Sequence, residues 1–313
     1  MKILVTGGCG YTGSLLVKNL INQNHKVEVL DSFWFGNYLT KHKNLKIIKK
    51  DIRDLKEVKF DNFEAIVHLA NIANDPSVDL SPELSWNVNV LATKELIEKS
   101  ILCGAKKFIF ASSGSVYGVK KEKKVTENLS LVPISTYNKT KMIAERVLES
   151  YSKEIDIFSV RPATVCGVSP RMRLDLTVNM FCYQAYKNKK ITIFGGNQIR
   201  PNIHINDLVN VYNHFLFKKN IKPGNYNAGF ENYSIKEIAE KIARKFKAKI
   251  VVKKIKDIRS YRQNSDKLIK TGFKRIYSID NAIDELHKFF LKKNFKDHNS
   301  FYTVKWMKKL KIK

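Results

Sequence analysis

Thr6-Gly7-Gly8-Cys9-Gly10-Tyr11-Thr12-Gly13 decides how this chain folds. It follows an apolar run, Lys2-Ile3-Leu4-Val5, and opens into residues 13–23, whose apolar positions recur at helical spacing. A strand, a glycine-rich turn and a helix, in that order, let a dinucleotide pyrophosphate rest on a helix N-terminus. Gly7 permits the tight turn, Gly10 lets backbone approach the phosphates, and Gly13 lets the helix pack close to the sheet. N–H groups at the helix start, near Tyr11 and Thr12, receive the phosphate charge.

Outward from this loop, Lys26-Val27-Glu28-Val29-Leu30 reads as a second strand ending at Asp31, 18 residues past Gly13. A carboxylate there accepts hydrogen bonds from both ribose hydroxyls and repels a 2′-phosphate. No arginine adjoins it in residues 32–37, so the expected cofactor is NAD rather than NADP. Asp51, followed by Ile52, stands where a carboxylate can meet the adenine amino group; helix N-capping is an equally good use for it.

Lys46-Ile47-Ile48, Ala65-Ile66-Val67-His68-Leu69, Lys107-Phe108-Ile109-Phe110-Ala111 and Ile157-Phe158-Ser159-Val160 continue the strands, with helical stretches at 80–103 and 135–150. This alternation predicts an α/β fold, a Rossmann-type doubly wound parallel sheet whose ligands lie along the strand C-termini. Past Gly167 come the arginine-rich turn Ser169-Pro170-Arg171-Met172-Arg173, a helix over 174–187, the short strand Ile191-Thr192-Ile193-Phe194 and a helix over 204–218. Tyr226-Asn227-Ala228 reads as a strand returning to the sheet, and Ser234 with Glu237 as a capping box opening a helix over 234–246. The expected division is an NAD-binding Rossmann domain at 1–167 with returns near 202–229. A smaller C-terminal substrate-binding lid then comes from 168–201 and 230–290, followed by a basic tail at 291–313.

Composition narrows the class. The 313 residues suffice for a large core, and a strand beginning by residue 3 leaves no room for a signal peptide. No apolar run is long enough to span a bilayer. Cys9, Cys103, Cys166 and Cys182 show no metal or CxxC spacing, which points to reduced thiols, no metal, and a cytoplasmic protein. The formal charge of +28 invites a nucleic-acid reading, but the lysines are scattered and are not gathered on one helix with interleaved aromatics. No specific nucleic-acid partner is expected. The tail, with Phe301, Trp306 and Met307 among lysines, is either a surface-binding segment or a last amphipathic helix packed on the body.

Tyr137 and Lys141 lie four apart in the helical stretch 135–150 and so share a face. An ammonium beside a phenol favours the phenolate and lowers its pKa from about 10 toward that of a general base. A Tyr and a Lys at this spacing are also an ordinary surface pair; the glycine loop and a serine cluster one strand upstream favour the functional use.

With these residues assembled, the chain resembles the extended short-chain dehydrogenase/reductase family, in its nucleotide-sugar epimerase/dehydratase branch, over nearly its whole length. The matching pieces include Thr6–Gly13 with Asp31, Asp51-Ile52, and His68-Leu69-Ala70-Asn71. They continue through Asn89-Val90-Leu91-Ala92-Thr93, Ser112-Ser113-Gly114-Ser115-Val116-Tyr117-Gly118, Tyr137 to Lys141, Arg161 to Gly167, and Arg200-Pro201-Asn202-Ile203-His204. The resemblance implies Tyr137 as catalytic base and acid, Lys141 as its tuner and a holder of the nicotinamide ribose, and Ser113 as the hydroxyl that binds the reacting sugar oxygen. Leu69 and Ala70 line the cofactor groove, and Asn89 stands behind the catalytic face. Ser115, Asn179, Arg200 and Arg262 are implied on the substrate side, the arginines as phosphate clamps.

Two departures shape the expected reaction. The 4,6-dehydratase branch carries an Asp-Glu pair where this chain has Gly114-Ser115, which argues against dehydration. The run Ser169 to Asp175 resembles a subgroup found with cell-surface polysaccharide enzymes, so Arg171 or Arg173 contacts sugar or phosphates, or else pairs with Asp175. The implied function is NAD-dependent C4 epimerisation of a nucleoside-diphosphate sugar by a homodimer paired through the 80–103 and 137–150 helices. A net 4-dehydrogenase or 4-ketoreductase is the alternative. An NAD sensor is disfavoured by the complete Ser113, Tyr137 and Lys141 set. His68 and His204 are expected to be packed or capping residues.

Overall fold

The computed structural model describes residues 1–254, 260–293 and 295–312. The far end of the lysine run at 241–256 and the last residue of the tail lie outside the described residues.

The first half is a strand–helix alternation. It begins with β1 (Lys2–Thr6), α1 (Gly13–Asn22), β2 (Lys26–Asp31), β3 (Leu45–Lys49) and β4 (Ala65–His68). Three helices follow: α2 (Asp75–Val78), α3 (Pro82–Trp86) and α4 (Ala92–Leu102). Then come β5 (Lys107–Ala111), α5 (Thr136–Ser150) and β6 (Asp156–Pro162). The second half holds β7 (Thr164–Cys166), α6 (Thr177–Asn188), β8 (Lys190–Phe194), β9 (Ile199–His204) and α7 (Ile205–Phe217). It continues with β10 (Gly224–Ala228), β11 (Glu231–Ser234), α8 (Ile235–Phe246) and β12 (Lys249–Lys253). The last helices are α9 (Asp266–Lys270), α10 (Ile279–Phe290) and α11 (Thr303–Leu310).

Seven parallel strands form one sheet in the order β10-β6-β5-β4-β1-β2-β3. The strand order reverses between β1 and β4, which opens the crevice where ligands bind in such sheets. Both faces are covered. Ile3, Val5 and Val29 pack with α1 and α7 residues on one side; Leu4, Ile66 and Phe108 pack with α4 and α5 residues on the other. A third core joins α6, α8 and α10 through Phe181, Ile238 and Phe290. The second half also contains a three-stranded sheet, β11-β9-β7, and a two-stranded one, β12-β8.

The structure refines several sequence boundaries. The helix expected over 80–103 is interrupted by a π-helical turn, Asn87–Leu91, for which the apolar periodicity carries no signal. The helix expected from Leu174 starts at Thr177, because the bonds of Arg173 and Thr303 N to Asp175 hold the preceding bend out of the helix. Tyr226-Asn227-Ala228 does return to the sheet, pairing with β6. The capping box of Ser234 and Glu237 is present. The tail is the packed alternative: Met307 is buried in the core under α2, and Trp306 Nε1 donates to the Trp34 carbonyl.

Candidate active site

A cavity of about 250 Å³ runs along the C-terminal edge of the sheet, across the β1/β4 switch point. Its first end is built from backbone. Gly7 adopts φ +70°, and a Cβ there would stand 2.6 Å from the Ala70 nitrogen, so only glycine lets the loops after β1 and β4 close together. A Cβ on Gly13 would collide with the Gly7 carbonyl, whereas one on Gly10 would meet only that carbonyl, at 3.1 Å. Tyr11 and Thr12 line the cavity ahead of the first backward bond of α1, from Ser14 N to the Gly10 carbonyl at 3.0 Å.

Asp31 closes this end. Its carboxylate accepts from Cys9 N at 2.9 Å and Phe33 N at 2.8 Å, which aims it into the cavity. Burial raises its pKa; the two N–H bonds and the Arg171 charge oppose that rise. Asp51 and Ile52 also line the cavity, with Leu69 and Ala70. Asp51 is gripped by Arg53 through Nε at 3.0 Å and Nη2 at 2.9 Å. It also accepts from Arg53 N in a tight turn, so its capping role is realised there and not at a helix. Burial pushes its pKa up, but the Arg53 bonds outweigh this and leave it lowered.

The second end is built from buried side chains. Ser135 caps α5, accepting from Asn138 N, and Tyr137 follows in the first turn, lining the cavity beside Ala111 and Ser112. Burial pushes the Tyr137 phenol up to about 12, against a hydrogen bond from Ser113, with Asp75 adding to the rise and Arg173 opposing it. Lys141, one turn further along α5, is buried as well. Its ammonium donates to the Ala111 carbonyl at 2.7 Å and sits 4.8 Å from the centre of the Phe110 ring. Burial lowers Lys141 to about 7, against the pull of Glu145. The expected lowering of the phenol by the ammonium is therefore not realised in this state, because the helix places both groups on one face but the lysine turns into the sheet.

Ser113 and Ser115 share a hydrogen bond of 2.7 Å just outside the lining, which Ser112 enters. Ser112 donates to Glu145, which makes a two-pronged buried pair with Arg161, Nε at 2.9 Å and Nη2 at 2.7 Å. Asn89 lies in the π turn and does not line the cavity. Its amide accepts from Ile72 N at 2.8 Å and donates to the Ile72 carbonyl and to Thr140, tying the loop after β4 to α5. His68 is buried between Thr6 and Thr93, with burial holding it neutral at about 3, and His204 caps α7.

The rim over the glycine loop comes from the arginine-rich segment. Arg173 pairs with Asp175 through Nε at 2.9 Å, and both Arg171 and Arg173 line the cavity. Asn179, implied on the substrate side, has a fully engaged amide: it accepts from Gly167 N and donates to Tyr11 Oη, the Gly167 carbonyl and the Arg173 carbonyl. Arg200 and Arg262 are not in the cavity lining; Arg200 Nη1 donates to the Ile199 carbonyl on β9, and Arg262 is exposed beside the Val125–Gln263 bridge. Sequence reasoning missed Trp34, Phe35, Tyr212, Thr303 and Met307 in the lining. Their side chains carry no motif, and distant segments bring them together.

Residues 3–229 match the NAD dependent epimerase/dehydratase family. UDP-glucose 4-epimerase of Lactobacillus helveticus is 28% identical over 271 residues, covering 77% of this chain and 82% of that protein. UDP-glucuronic acid decarboxylase 1 of Xenopus tropicalis is 29% identical over 223 residues, 67% of this chain and 52% of that protein. The structure of UDP-glucuronic acid 4-epimerase from Bacillus cereus, in complex with UDP-glucuronic acid and NAD, superposes with a TM-score of 0.80 at 25% identity, covering 93% of this chain and 99% of that one. The glycine cradle and the aimed Asp31 fit NAD, which is the cofactor.

Proposed function

Because this chain belongs to the NAD dependent epimerase/dehydratase family, we propose that it is a nucleoside-diphosphate-sugar 4-epimerase acting through Tyr137, Ser113 and Lys141. One observation carries the reading: a buried phenol, with Ser113 near enough to oppose the rise of its pKa, lines the same cavity as the dinucleotide cradle. When bound, NAD supplies the reversible hydride acceptor. Tyr137 takes the proton from the C4 hydroxyl as C4 becomes a ketone and returns it to the same oxygen when C4 is reduced on its other face. Ser113 orients that oxygen and donates to it as its negative charge develops. A phenol near 12 must fall by several units to act as a base near neutrality, at about 1.4 kcal/mol per unit. Lys141, titrating near 7, and Arg173 are the cations at hand for this.

Dehydration finds no support in the lining. Among the described lining residues the carboxylates are Asp31 and Asp51, both at the other end from Tyr137. The α6–α8–α10 core is proposed as the substrate-binding lid, and the setting as cell-surface polysaccharide synthesis in the cytoplasm. A homodimer is proposed through α4 and α5; Leu91 and Leu102, 59% and 86% exposed, are apolar residues available to such a contact, and sedimentation of a monomer at micromolar concentration overturns it.

The reaction is tested by incubating the protein with UDP-glucose, UDP-glucuronic acid and GDP-mannose and following the sugar by NMR and NADH by absorbance. A C4 epimer without net NADH is expected. A 4-keto product with stoichiometric NADH reassigns the protein as a 4-dehydrogenase, and a 4,6- or 5,6-dehydrated product overturns the proposal.

A further inference from the structure

Arg171 is a buried guanidinium with no ion-pair contact among the described residues, although the Asp31 and Asp175 charges lie near enough to act on it. The residue is 3% exposed, yet among the described residues its Nε has no hydrogen-bond partner and its Nη2 has a long bond of 3.4 Å to Thr303 Oγ1. Its guanidinium lies 4.1 Å from the centre of the Phe35 ring, a cation–π contact that orients the plane and satisfies none of the N–H groups. Asp175, the carboxylate of the same segment, is taken by Arg173. Burying a guanidinium with an unused donor costs free energy, and burial with the neighbouring Arg173 charge lowers Arg171 to about 9. Such a group becomes favourable when an anion enters beside it.

Its position identifies the anion. The Arg171 segment is fastened to the glycine loop: Ser169 Oγ donates to the Tyr11 carbonyl at 2.6 Å and lies 3.1 Å from Ser14 Oγ, and Tyr11 Oη donates to the Gly167 carbonyl at 2.6 Å. Two residues beyond Ser169, Arg171 shares the lining with Gly10, Tyr11 and Asp31, stacks over Phe35, and lies near enough to Asp31 and Tyr11 for their charges to interact. That is the stretch of cavity between the helix N-terminus and the ribose carboxylate. We propose that Arg171 binds the pyrophosphate of NAD from the side opposite the glycine loop, making it a cofactor residue and not a sugar-nucleotide contact. Thr303 and the α11 helix behind it hold the guanidinium over the phosphates. The glycine loop supplies N–H groups from below, and Arg171 supplies a planar fork from above, so the two phosphates are gripped by groups from both halves of the chain.

Isothermal titration of the cofactor-stripped protein tests this without turnover. For Arg171→Gln, affinity for NAD and ADP-ribose is expected to fall about 10- to 100-fold, with affinity for adenosine, which lacks the pyrophosphate, unchanged. Arg171→Lys, which keeps the charge and loses the fork, should fall between. A melting temperature no lower than wild type is expected for Arg171→Gln without ligand, since the side chain removed has no strong partner. Unchanged NAD affinity in Arg171→Gln overturns the proposal, as does an equal loss for NAD and adenosine, which would mark Arg171 as a wall of the pocket only. Absence of NAD binding by the wild type would instead count against the cofactor assignment itself.

Discussion

The two ends of the cavity are built from different materials. At the dinucleotide end, backbone does the work: Gly7, Gly10 and Gly13 shape the loop, and Asp31 is aimed by two main-chain N–H groups. This end is formed before any ligand arrives, because its geometry is that of the strand, turn and helix themselves. The Tyr137 end is built from buried ionisable side chains whose protonation is set by desolvation: the phenol near 12 and the ammonium near 7. That end is positioned but not yet tuned, and its tuning depends on charge that enters the cavity or turns toward it.

The comparison can be broken in four ways. Tyr137→Phe removes the proton-transfer group, so turnover should fall about 100- to 10,000-fold while NAD affinity by titration stays at the wild-type value. A variant that turns over normally would move the chemistry elsewhere. Glu145→Ala strips Arg161 of its buried partner and frees Ser112; a loss of about 3–5 kcal/mol in urea unfolding is expected. A loss below about 1 kcal/mol would show that this end does not rely on buried charge.

Gly10→Ala probes the other end. Its Cβ would meet only the Gly7 carbonyl, so stability should move by no more than about 1 kcal/mol, while NAD affinity drops because the phosphates need that space. Equal NAD affinity would show that the loop does not approach the phosphates. The smallest effect concerns Lys141. Its folded pKa is near 7 and its unfolded value 10.5, so unfolding takes up a proton between those limits and stability from this group rises as pH climbs from about 7 toward 10. Lys141→Met should lack that rise, and urea midpoints measured across the interval should therefore diverge in slope. Parallel profiles would mean that the ammonium is not buried as described.

Much of the site was legible because its signals are local. The turn after β1, Asp31 at the end of β2, and Tyr137 in the first turn of α5 each follow from a few consecutive residues and their periodicity. Asn179 and Asn89 were legible as important positions, but their amides are spent on Gly167, Tyr11, Ile72 and Thr140, contacts that no spacing rule anticipates. The Arg171 and Thr303 contact spans 132 residues, and the one between Trp306 and Trp34 spans 272.

The amino-acid sequence by itself determined the parallel sheet, the glycine cradle, the carboxylate at the end of β2 and the helix that carries the phenol. Each is written in short-range patterns of size, polarity and backbone freedom. Only the tertiary structure decided which way Lys141 points, which arginine is paired and which is left with an unused donor, and that the tail closes on the cavity. Those outcomes depend on burial and on partners far apart in the chain, and desolvation is a property of the packed whole rather than of any local run.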